Sequence, residues 1–109
     1  MKCVFCKIIK KEIPSEIIFE DKKAIVIKDI NPKARIHYLI IPKKHIRSIR
    51  ELKEREKSLI SHLIFTAKKL AKKKKISGYK LVFNVGKKGG QVIGHLHLHF
   101  LSGKIKSLP

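Results

Sequence analysis

Residues 95–101 read His-Leu-His-Leu-His-Phe-Leu, and this stretch decides the fold prediction. Imidazole and large apolar side chains alternate in it, and successive side chains of a β-strand point to opposite faces of a sheet. The stretch therefore predicts a strand over His95–Leu101, with three imidazoles roughly 6–7 Å apart on one face and apolar groups on the core face. Imidazole can act as a nucleophile, a general acid–base or a metal ligand near neutral pH. The alternatives are a merely polar face or a histidine pair in a structural metal site.

Four further strands and one long helix are predicted around this stretch. Short β-rich runs predict strands over 16–20, 24–28, 36–42 and 79–85. From about Leu52 to Ile76, apolar residues recur at three- and four-residue intervals, which predicts an amphipathic helix. Its start is open between Ile49 and Glu54, because Ser48 and Glu51 imitate a capping box. We therefore expect one α+β domain over residues 1–109, with an antiparallel sheet covered by helices.

Composition limits the function classes. The chain has 109 residues and is 43% apolar, which suits one domain with a packed core. Its net charge of +19 would attract polyanions. The bias comes from 23 Lys against 4 Arg, and Lys lacks the planar fork that binds phosphates and bases. Aromatic residues make up only 6%, and no stacking motif for RNA is visible, so nucleic acid is not the expected partner.

The sequence also predicts a cellular location. No apolar run approaches the roughly 18 residues that a membrane span needs, so we expect no membrane partner. The N-terminal stretch lacks the apolar segment of a secretory signal. Two cysteines, Cys3 and Cys6, are too closely spaced for an ordinary structural disulfide. A cytoplasmic protein with reduced thiols is the expectation.

Several other segments accompany the histidine stretch: 3–9 (CVFCKII), 12–15 (EIPS), 18–21 (IFED), 29–30 (DI), 37–46 (HYLIIPKKHI), 84–86 (NVG) and 89–91 (GGQ). Together with HLHLHFL they resemble the histidine triad (HIT) superfamily, and within it the bacterial type of the histidine triad nucleotide-binding (HINT) branch. The resemblance covers essentially the whole chain. It implies a five-stranded antiparallel sheet with one long helix and a short N-terminal helix. It also implies a homodimer in which two sheets become continuous.

The resemblance further implies an enzyme activity. Members of the branch bind purine nucleotides of the AMP or GMP type and hydrolyse phosphoramidates, releasing a nucleoside 5′-monophosphate. His97, as the central histidine, corresponds to the nucleophile that forms a nucleotidyl-histidine intermediate. His99 corresponds to a phosphate contact, and His37 to a fourth active-site histidine. A positive charge on either ring would stabilise the phosphoryl oxygens. A simple packing role for His37 is equally open.

The implied nucleotide contacts fall into three groups. Asp29 suits the ribose, because a carboxylate accepts hydrogen bonds from two hydroxyls. A Gly-Gly pair lets backbone N–H groups approach an anion. Apolar side chains would form a slot for the base, although core packing also explains Ile8 and Phe19. The set is Phe5, Ile8 and Ile30 for the base, with Val4 and Phe19 as further candidates, Asp29 for the ribose, and Asn84, Gly90, Gln91, Val92, His97 and His99 for the phosphate.

Two departures from the branch stand out. Val92 occupies a position where the branch usually has Ser, whose hydroxyl contacts the leaving-group side of the phosphate. Val keeps its backbone N–H but offers no side-chain donor, so we expect binding to persist and leaving-group preference or rate to change. The tail over 102–109 lacks the Trp that animal members use. Lys104 and Lys106 are candidates to meet acidic groups of the substrate instead.

A zinc site is the other implied feature. Cys3-x-x-Cys6 is half of a tetrahedral Cys₂His₂ set. Several bacterial members complete it with the histidine of Pro-Lys-x-His and the first triad histidine, which are His45 and His95 here. Such zinc would be structural, catalysis would need no metal, and His95 could not also contact substrate. The alternative is two free thiols that pack as small apolar groups.

Two other functions stay open at this point. One is a dinucleoside polyphosphate hydrolase of the same superfamily. The other is a catalytically weak module that binds nucleotides or, through its lysines, nucleic acid.

Overall fold

A computed structural model describes residues 3–109 and contains one antiparallel sheet. Its strands run along the chain as β1 (Ile17–Glu20), β2 (Ala24–Lys28), β3 (Ala34–Pro42), β4 (Lys80–Val82) and β5 (Leu98–Ile105). Their order across the sheet is β1-β2-β3-β5-β4, and every neighbouring pair is antiparallel. The predicted α+β fold with five strands is confirmed. Strands β1 and β4 form the two open edges.

Two helices cover the sheet. The short N-terminal helix α1 spans Val4–Ile9 and the long helix α2 spans Lys57–Lys73, as the family resemblance implied. The predicted start of the long helix, between Ile49 and Glu54, was wrong. Ser48 instead caps a separate 3-10 turn over Ile49–Glu51 by accepting the N–H of Arg50. A second 3-10 turn, Glu54–Glu56, precedes α2, because Glu56 accepts the N–H of Lys53 and tightens the chain there.

The sheet separates two apolar cores. On one face α2 packs Leu63, Ala67, Leu70 and Ala71 against strand residues that include Val26, Tyr38 and Ile40. On the other face α1 packs Phe5 and Ile8 against Ile25, Ile27, Leu39 and Ile41. Alternate residues of β2 and β3 thus serve opposite cores, so all of Ala24–Ile27 is buried. The second face, which α1 covers only in part, carries the site described below.

The histidine stretch follows the predicted alternation but is only partly strand. Strand β5 begins at Leu98, so His95 and His97 precede it and only His99 lies within it. Leu96, Leu98 and Phe100 nevertheless enter the α2 core, as expected. The N–H of Leu96 donates to the carbonyl of Ile46, which lies outside the sheet, at 2.7 Å. This bond holds the segment extended without a strand neighbour.

Other strand boundaries also differ from the predictions. Strand β3 begins two residues earlier than expected, strand β4 is shorter at both ends, and β5 continues to Ile105 instead of ending at Leu101. Pairing explains the extension, because Ala34 of β3 lies opposite Ile105 of β5. Within residues 3–109, no helix combines the length and the apolar character that crossing a bilayer requires.

Candidate functional site

A cavity of about 400 Å³ opens on the α1 face of the sheet. This volume is within the range of small-molecule sites. Helix α1, the loop after β2, strand β3 and the segment before β5 all contribute to its wall. Eleven of the residues singled out from the sequence line it: Val4, Phe5, Ile8, Asp29, Ile30, His37, Asn84, Gly90, Val92, His97 and His99.

His97 is held in one tautomer by the backbone. Its Nδ1 lies 2.7 Å from the carbonyl oxygen of His95. A carbonyl only accepts, so Nδ1 carries the hydrogen and Nε2 keeps a free lone pair. The ring of Phe5 packs edge-on against His97 with centroids 5.1 Å apart, and only 8% of His97 is exposed. The ring is therefore fixed in orientation, with a nucleophilic nitrogen available.

His37 and His99 form a relay of hydrogen bonds beside it. The N–H of Lys33 donates to Nδ1 of His37 at 3.0 Å, which places the ring hydrogen of neutral His37 on Nε2. That Nε2 lies 2.9 Å from Nδ1 of His99 and 3.4 Å from a carboxylate oxygen of Asp29. His99 accepts at Nδ1 and keeps its own hydrogen on Nε2. The ring centroids of His97 and His99 are 4.9 Å apart, closer than the spacing predicted for an ideal strand.

These imidazoles are neutral near pH 7. Burial, together with the smaller effects of the neighbouring His97 and His37, lowers the pKa of His99 to about 3. Burial also lowers the pKa of His37 and of His97, although the Asp29 carboxylate opposes the shift in both. A positive charge on His99 or His37 is therefore not expected in the free protein at pH 7. In the free protein His99 can donate its Nε2–H to a ligand, whereas the Nε2–H of His37 is already directed at His99.

Asp29 is partly committed to its own loop. One carboxylate oxygen accepts the N–H of Asn31 at 2.8 Å, and the other faces His37. About a fifth of its side chain remains exposed, so it can still accept from a ligand hydroxyl. Ile30 and Val92 are 90% and 93% exposed and lie at the mouth of the cavity. Their apolar groups are free to contact a ligand.

A glycine-rich loop closes the opposite end of the cavity. Gly90 adopts the left-handed conformation with φ +88°, and a Cβ there would lie 3.9 Å from the amide of Asn84. The side chain of Gln91 does not line the cavity. Its Oε1 accepts the N–H of Gly86, and its Nε2 donates to the carbonyls of Arg47 and Ile93. Gln91 thus anchors the loop, and only its backbone could serve a ligand.

Sequence reasoning misplaced one candidate and missed others. Phe19 lies on β1 beside α2 and lines a different cavity, so it is not part of this one. Most of the missed lining residues are apolar and lie on β2, β3 or the loops. In the sequence, an apolar residue predicts only burial and does not distinguish a cavity wall from a core. Asn84 also donates to the carbonyl of Pro109 at 2.8 Å, and Pro109 lines the cavity. The missed residues include Ile13, Pro14, Ser15, Ile27, Lys28, Asn31, Lys33, Leu39, Ile93 and Pro109.

Four potential metal ligands meet next to this site. The ligand atoms of Cys3, Cys6, His45 and His95 all lie within 4.8 Å of one another. Cys3 Sγ lies 3.3 Å from Nδ1 of His95. Cys6 Sγ lies 3.3 Å from Nδ1 of His45 and 3.6 Å from Nδ1 of His95. The Nδ1 atoms of the two histidines are 3.0 Å apart. Around a tetrahedral zinc ion, bond lengths require separations of roughly 3.3–3.6 Å. The three sulfur–nitrogen separations lie in this range, and the two Nδ1 atoms are slightly closer to each other than a bound ion would hold them. The donor set therefore fits such an ion after a small adjustment of the two rings.

The tautomer of His95 supports the same interpretation. Its Nε2 donates to the carbonyl of Pro42 at 2.9 Å, so Nδ1 is the bare nitrogen and faces the two thiols. A backbone partner on the far nitrogen is the arrangement that orients metal-binding histidines. The same residue's carbonyl accepts from His97. The cluster and the cavity are thus joined through one backbone position.

Comparisons with known proteins agree with this geometry. The family model described as scavenger mRNA decapping enzyme C-term binding matches residues 2–108. An uncharacterized HIT-like protein of Buchnera aphidicola is 43% identical over 103 residues, which cover 93% of this chain and 90% of that protein. The crystal structure of a HIT family hydrolase from Legionella pneumophila superposes with a TM-score of 0.92 at 45% identity, covering 99% of this chain and 98% of that one. A histidine triad nucleotide-binding protein from Candida albicans superposes with a TM-score of 0.82 at 36% identity, covering 91% of this chain and 73% of that one. The chain therefore belongs to the histidine triad superfamily.

Proposed function

We propose that the protein hydrolyses nucleoside 5′-phosphoramidates, with purine nucleotides of the AMP or GMP type as ligands. The observation that carries this proposal is the fixed tautomer of His97, whose bare Nε2 belongs to a cavity also lined by His99, Asp29 and apolar side chains. Relatives named as a HIT family hydrolase and as a histidine triad nucleotide-binding protein support the same activity.

The reaction proceeds as two displacements at phosphorus. Nε2 of His97 attacks the α-phosphorus, the P–N bond to the leaving amine breaks, and the amine departs with a proton taken from solvent. A nucleotidyl-histidine results, and its Nδ1–H remains bonded to the carbonyl of His95. Water then attacks the same phosphorus, returns a proton to solvent and releases the nucleoside monophosphate with free His97. Dividing one difficult displacement into two easier ones lowers the barrier.

The other residues bind and orient the nucleotide. His99 donates its Nε2–H to a non-bridging phosphoryl oxygen, because its Nδ1 is already occupied by His37. Asp29 accepts the ribose hydroxyls. The base lies in the apolar part of the cavity, between Ile8 and the exposed Ile30. The phosphate end is bounded by Asn84 and by the backbone amides of Gly90, Gln91 and Val92.

We also propose that the cysteine–histidine cluster holds a structural zinc ion. Zinc bound there would tie α1 to the strands by joining Cys3 and Cys6 to His45 and His95, without entering the reaction. Because thiols that bind zinc must stay reduced, a cytoplasmic location suits this site.

A homodimer completes the proposal. One open sheet edge pairs with its copy, so that two sheets become continuous. Strand β4 is the edge that we favour, since the ring of Tyr79 beside it stacks on Phe100 yet remains 39% exposed. Sedimentation equilibrium at micromolar concentration is expected to give twice the chain mass, and a monomer would contradict this part of the proposal.

The activity is tested with adenosine 5′-phosphoramidate. Wild-type protein is expected to release AMP, and His97→Ala is expected to lose at least about a thousandfold in kcat, because the nucleophile is gone. Both proteins should bind AMP in calorimetry, since the variant keeps the rest of the cavity. His62→Ala is a matched control, because His62 pairs with Asp21 on another face of the fold. Turnover by His97→Ala at the wild-type rate would exclude the covalent mechanism, and AMP binding without turnover by wild type would make the protein a nucleotide-binding module.

A further inference from the structure

A second cavity adjoins the candidate active site. It is a groove of about 750 Å³, lined by the segment 47–51 on one side and by the glycine loop on the other. Gly90 and Val92 line both cavities, so the groove begins where the nucleotide cavity ends at its phosphate side. Resting on the proposed function, we infer that this groove is the leaving-group subsite and that it selects leaving groups carrying negative charge.

Three of the seven side chains that line the groove are cationic. Arg47, Arg50 and Lys87 contribute to it, and among residues 3–109 none of the three forms an ion pair within 4.0 Å. The carboxylate in the lining is Glu51, which accepts a hydrogen bond from the hydroxyl of Ser48. With three cations against one carboxylate, the groove therefore offers net positive charge beside the phosphate end of the nucleotide cavity.

The use of arginine is itself informative in this chain. Only 4 of its 27 cationic Lys and Arg residues are Arg, and two of those four line this groove. A guanidinium binds carboxylates and phosphates through two parallel hydrogen bonds, which an ammonium group cannot do. The lysine bias of the surface does not explain this placement, whereas recognition of an anion does.

The backbone fixes the two sides of the groove relative to each other. Gln91 donates to the carbonyl of Arg47 at 2.6 Å and accepts the N–H of Gly86 at 2.9 Å. Gly86 has φ +72°, and a Cβ there would lie 3.8 Å from Nη1 of Arg50, so this guanidinium lies across the loop. Ser48 accepts the N–H of Arg50 and holds the segment in its 3-10 turn. A preformed groove loses less entropy on binding than a flexible one.

Val92 lies where the two cavities meet. Its side chain is 93% exposed and offers no hydrogen-bond donor. A group leaving from phosphorus passes over this apolar residue before it reaches Arg47 and Arg50. We therefore expect the negative charge to lie several bonds from the scissile bond, as in the carboxylates of an amino acid or in the distal phosphate of a nucleotide.

The test compares AMP linked through nitrogen to glutamate, AMP linked in the same way to the uncharged diamide of glutamate, and diadenosine triphosphate. For wild type, kcat/KM is expected to be about tenfold higher for the glutamate conjugate than for the diamide. The double variant Arg47→Gln/Arg50→Gln should lose that advantage and change by less than about twofold on the diamide. The control Arg55→Gln removes one charge outside the groove and should leave the preference intact.

Diadenosine triphosphate distinguishes the source of the anion. If the double variant loses activity on this compound and not on the glutamate conjugate, the groove is a phosphate subsite. The reverse result assigns it to carboxylates. An equal loss on all three compounds, or the absence of any preference in wild type, overturns the inference.

Binding separates this inference from the proposed activity. In the His97→Ala background, calorimetry should give an affinity about fivefold to tenfold higher for the glutamate conjugate than for the diamide, and the preference should vanish when Arg47 and Arg50 are also changed. A preference in binding without any turnover by wild type would keep the subsite and reject the hydrolase. Turnover without any preference in rate or binding would keep the hydrolase and reject the subsite.

Discussion

His37 and His99 lie on the adjacent strands β3 and β5, and Nε2 of His37 is 2.9 Å from Nδ1 of His99. The backbone N–H of Lys33 sets the tautomer of His37, and the Nε2–H of His37 in turn sets the tautomer of His99. A backbone N–H therefore determines which nitrogen of His99 carries hydrogen. The cross-strand neighbours Leu39 and His99 share this face of the sheet with His37. We therefore propose that His37 is a positioning residue for His99.

Replacing His37 tests that relationship. His37→Leu is expected to lower kcat on adenosine 5′-phosphoramidate by about 10–100-fold, because His99 loses the donor that sets its tautomer. His37→Gln places an amide N–H close to the former Nε2 and is expected to recover most of the loss. Steady-state kinetics with AMP as a competitive inhibitor should show a change mainly in kcat. Equal losses in the Leu and Gln variants would mean that His37 has only a packing role.

Purified protein is expected to contain one zinc ion per chain by elemental analysis. Removing it with a chelator should lower the melting temperature by about 10 °C or more, because α1 then loses its link to the strands. Cys3→Ser/Cys6→Ser should purify without zinc and show the lower melting temperature from the outset. His62→Ala is the control, since it removes an imidazole outside the cluster and should retain the metal. If chelator-treated wild-type protein contains no zinc and melts at the same temperature as untreated protein, the proposal of a structural zinc ion is rejected.

Lowering the pH is expected to destabilise the fold already at pH values higher than those at which carboxylates take up protons. The pKa of His99 falls from an ordinary value of 6.5 to about 3 in the fold, so between these values the unfolded chain binds a proton that the folded chain does not. Its contribution to stability is complete above about pH 6.5 and is lost as the pH falls toward 3. The slope of the unfolding free energy should reach about 1.4 kcal/mol per pH unit for this residue.

Urea titrations between pH 7.5 and 4.5 measure that slope. Glu20, Asp21 and Glu56 have pKa values below their ordinary ones, because hydrogen bonds from Lys11, from backbone amides and from Lys44, respectively, favour their charged forms. In the folded chain they therefore stay charged over this range, and the unfolded chain contributes the same carboxylate titration in wild type and in a His99 variant. His99→Asn should give a shallower pH dependence than wild type, and identical slopes would contradict the assignment.

Val92→Ser introduces the hydroxyl that the resemblance to the HINT branch implies at this position. We expect kcat on adenosine 5′-phosphoramidate to rise several-fold, which is the order of the rate gain that one charge-assisted hydrogen bond to the leaving group supplies. AMP affinity should change little, because the backbone N–H is retained. Val92→Ala is the matched control for lost apolar contact. If Ser and Ala give the same rate, the hydroxyl has no part in leaving-group departure.

Much of this architecture follows from local patterns. Alternation in residues 95–101 assigned Leu96, Leu98 and Phe100 to one core and the histidines to the other face, because side-chain direction in an extended chain depends only on position. The start of α2 was misjudged for an equally local reason: Ser48 and Glu51 form a genuine cap, but for a 3-10 turn. A cap signal does not indicate how far its helix continues.

Long-range contacts account for the features that the sequence did not predict. Periodicity gives no indication that Gln91 would bond the carbonyl of Arg47, or that Phe19 would line a separate cavity. Lining residues such as Ile27 and Leu39 look like any buried strand position, because a cavity wall and a core are both apolar.

The sequence by itself determined the five strands, the long helix, the superfamily and the residue types of the site, since each depends on spacing along the chain. Only the tertiary structure decided the state of each imidazole. His95, His97 and His99 have the same side chain and follow one another at intervals of two residues, yet each has different partners. His95 contacts a backbone carbonyl and the two thiols, His97 contacts a second carbonyl, and His99 contacts another histidine. Those partners come from distant segments brought together by folding, and they determine which ring nitrogen keeps its lone pair.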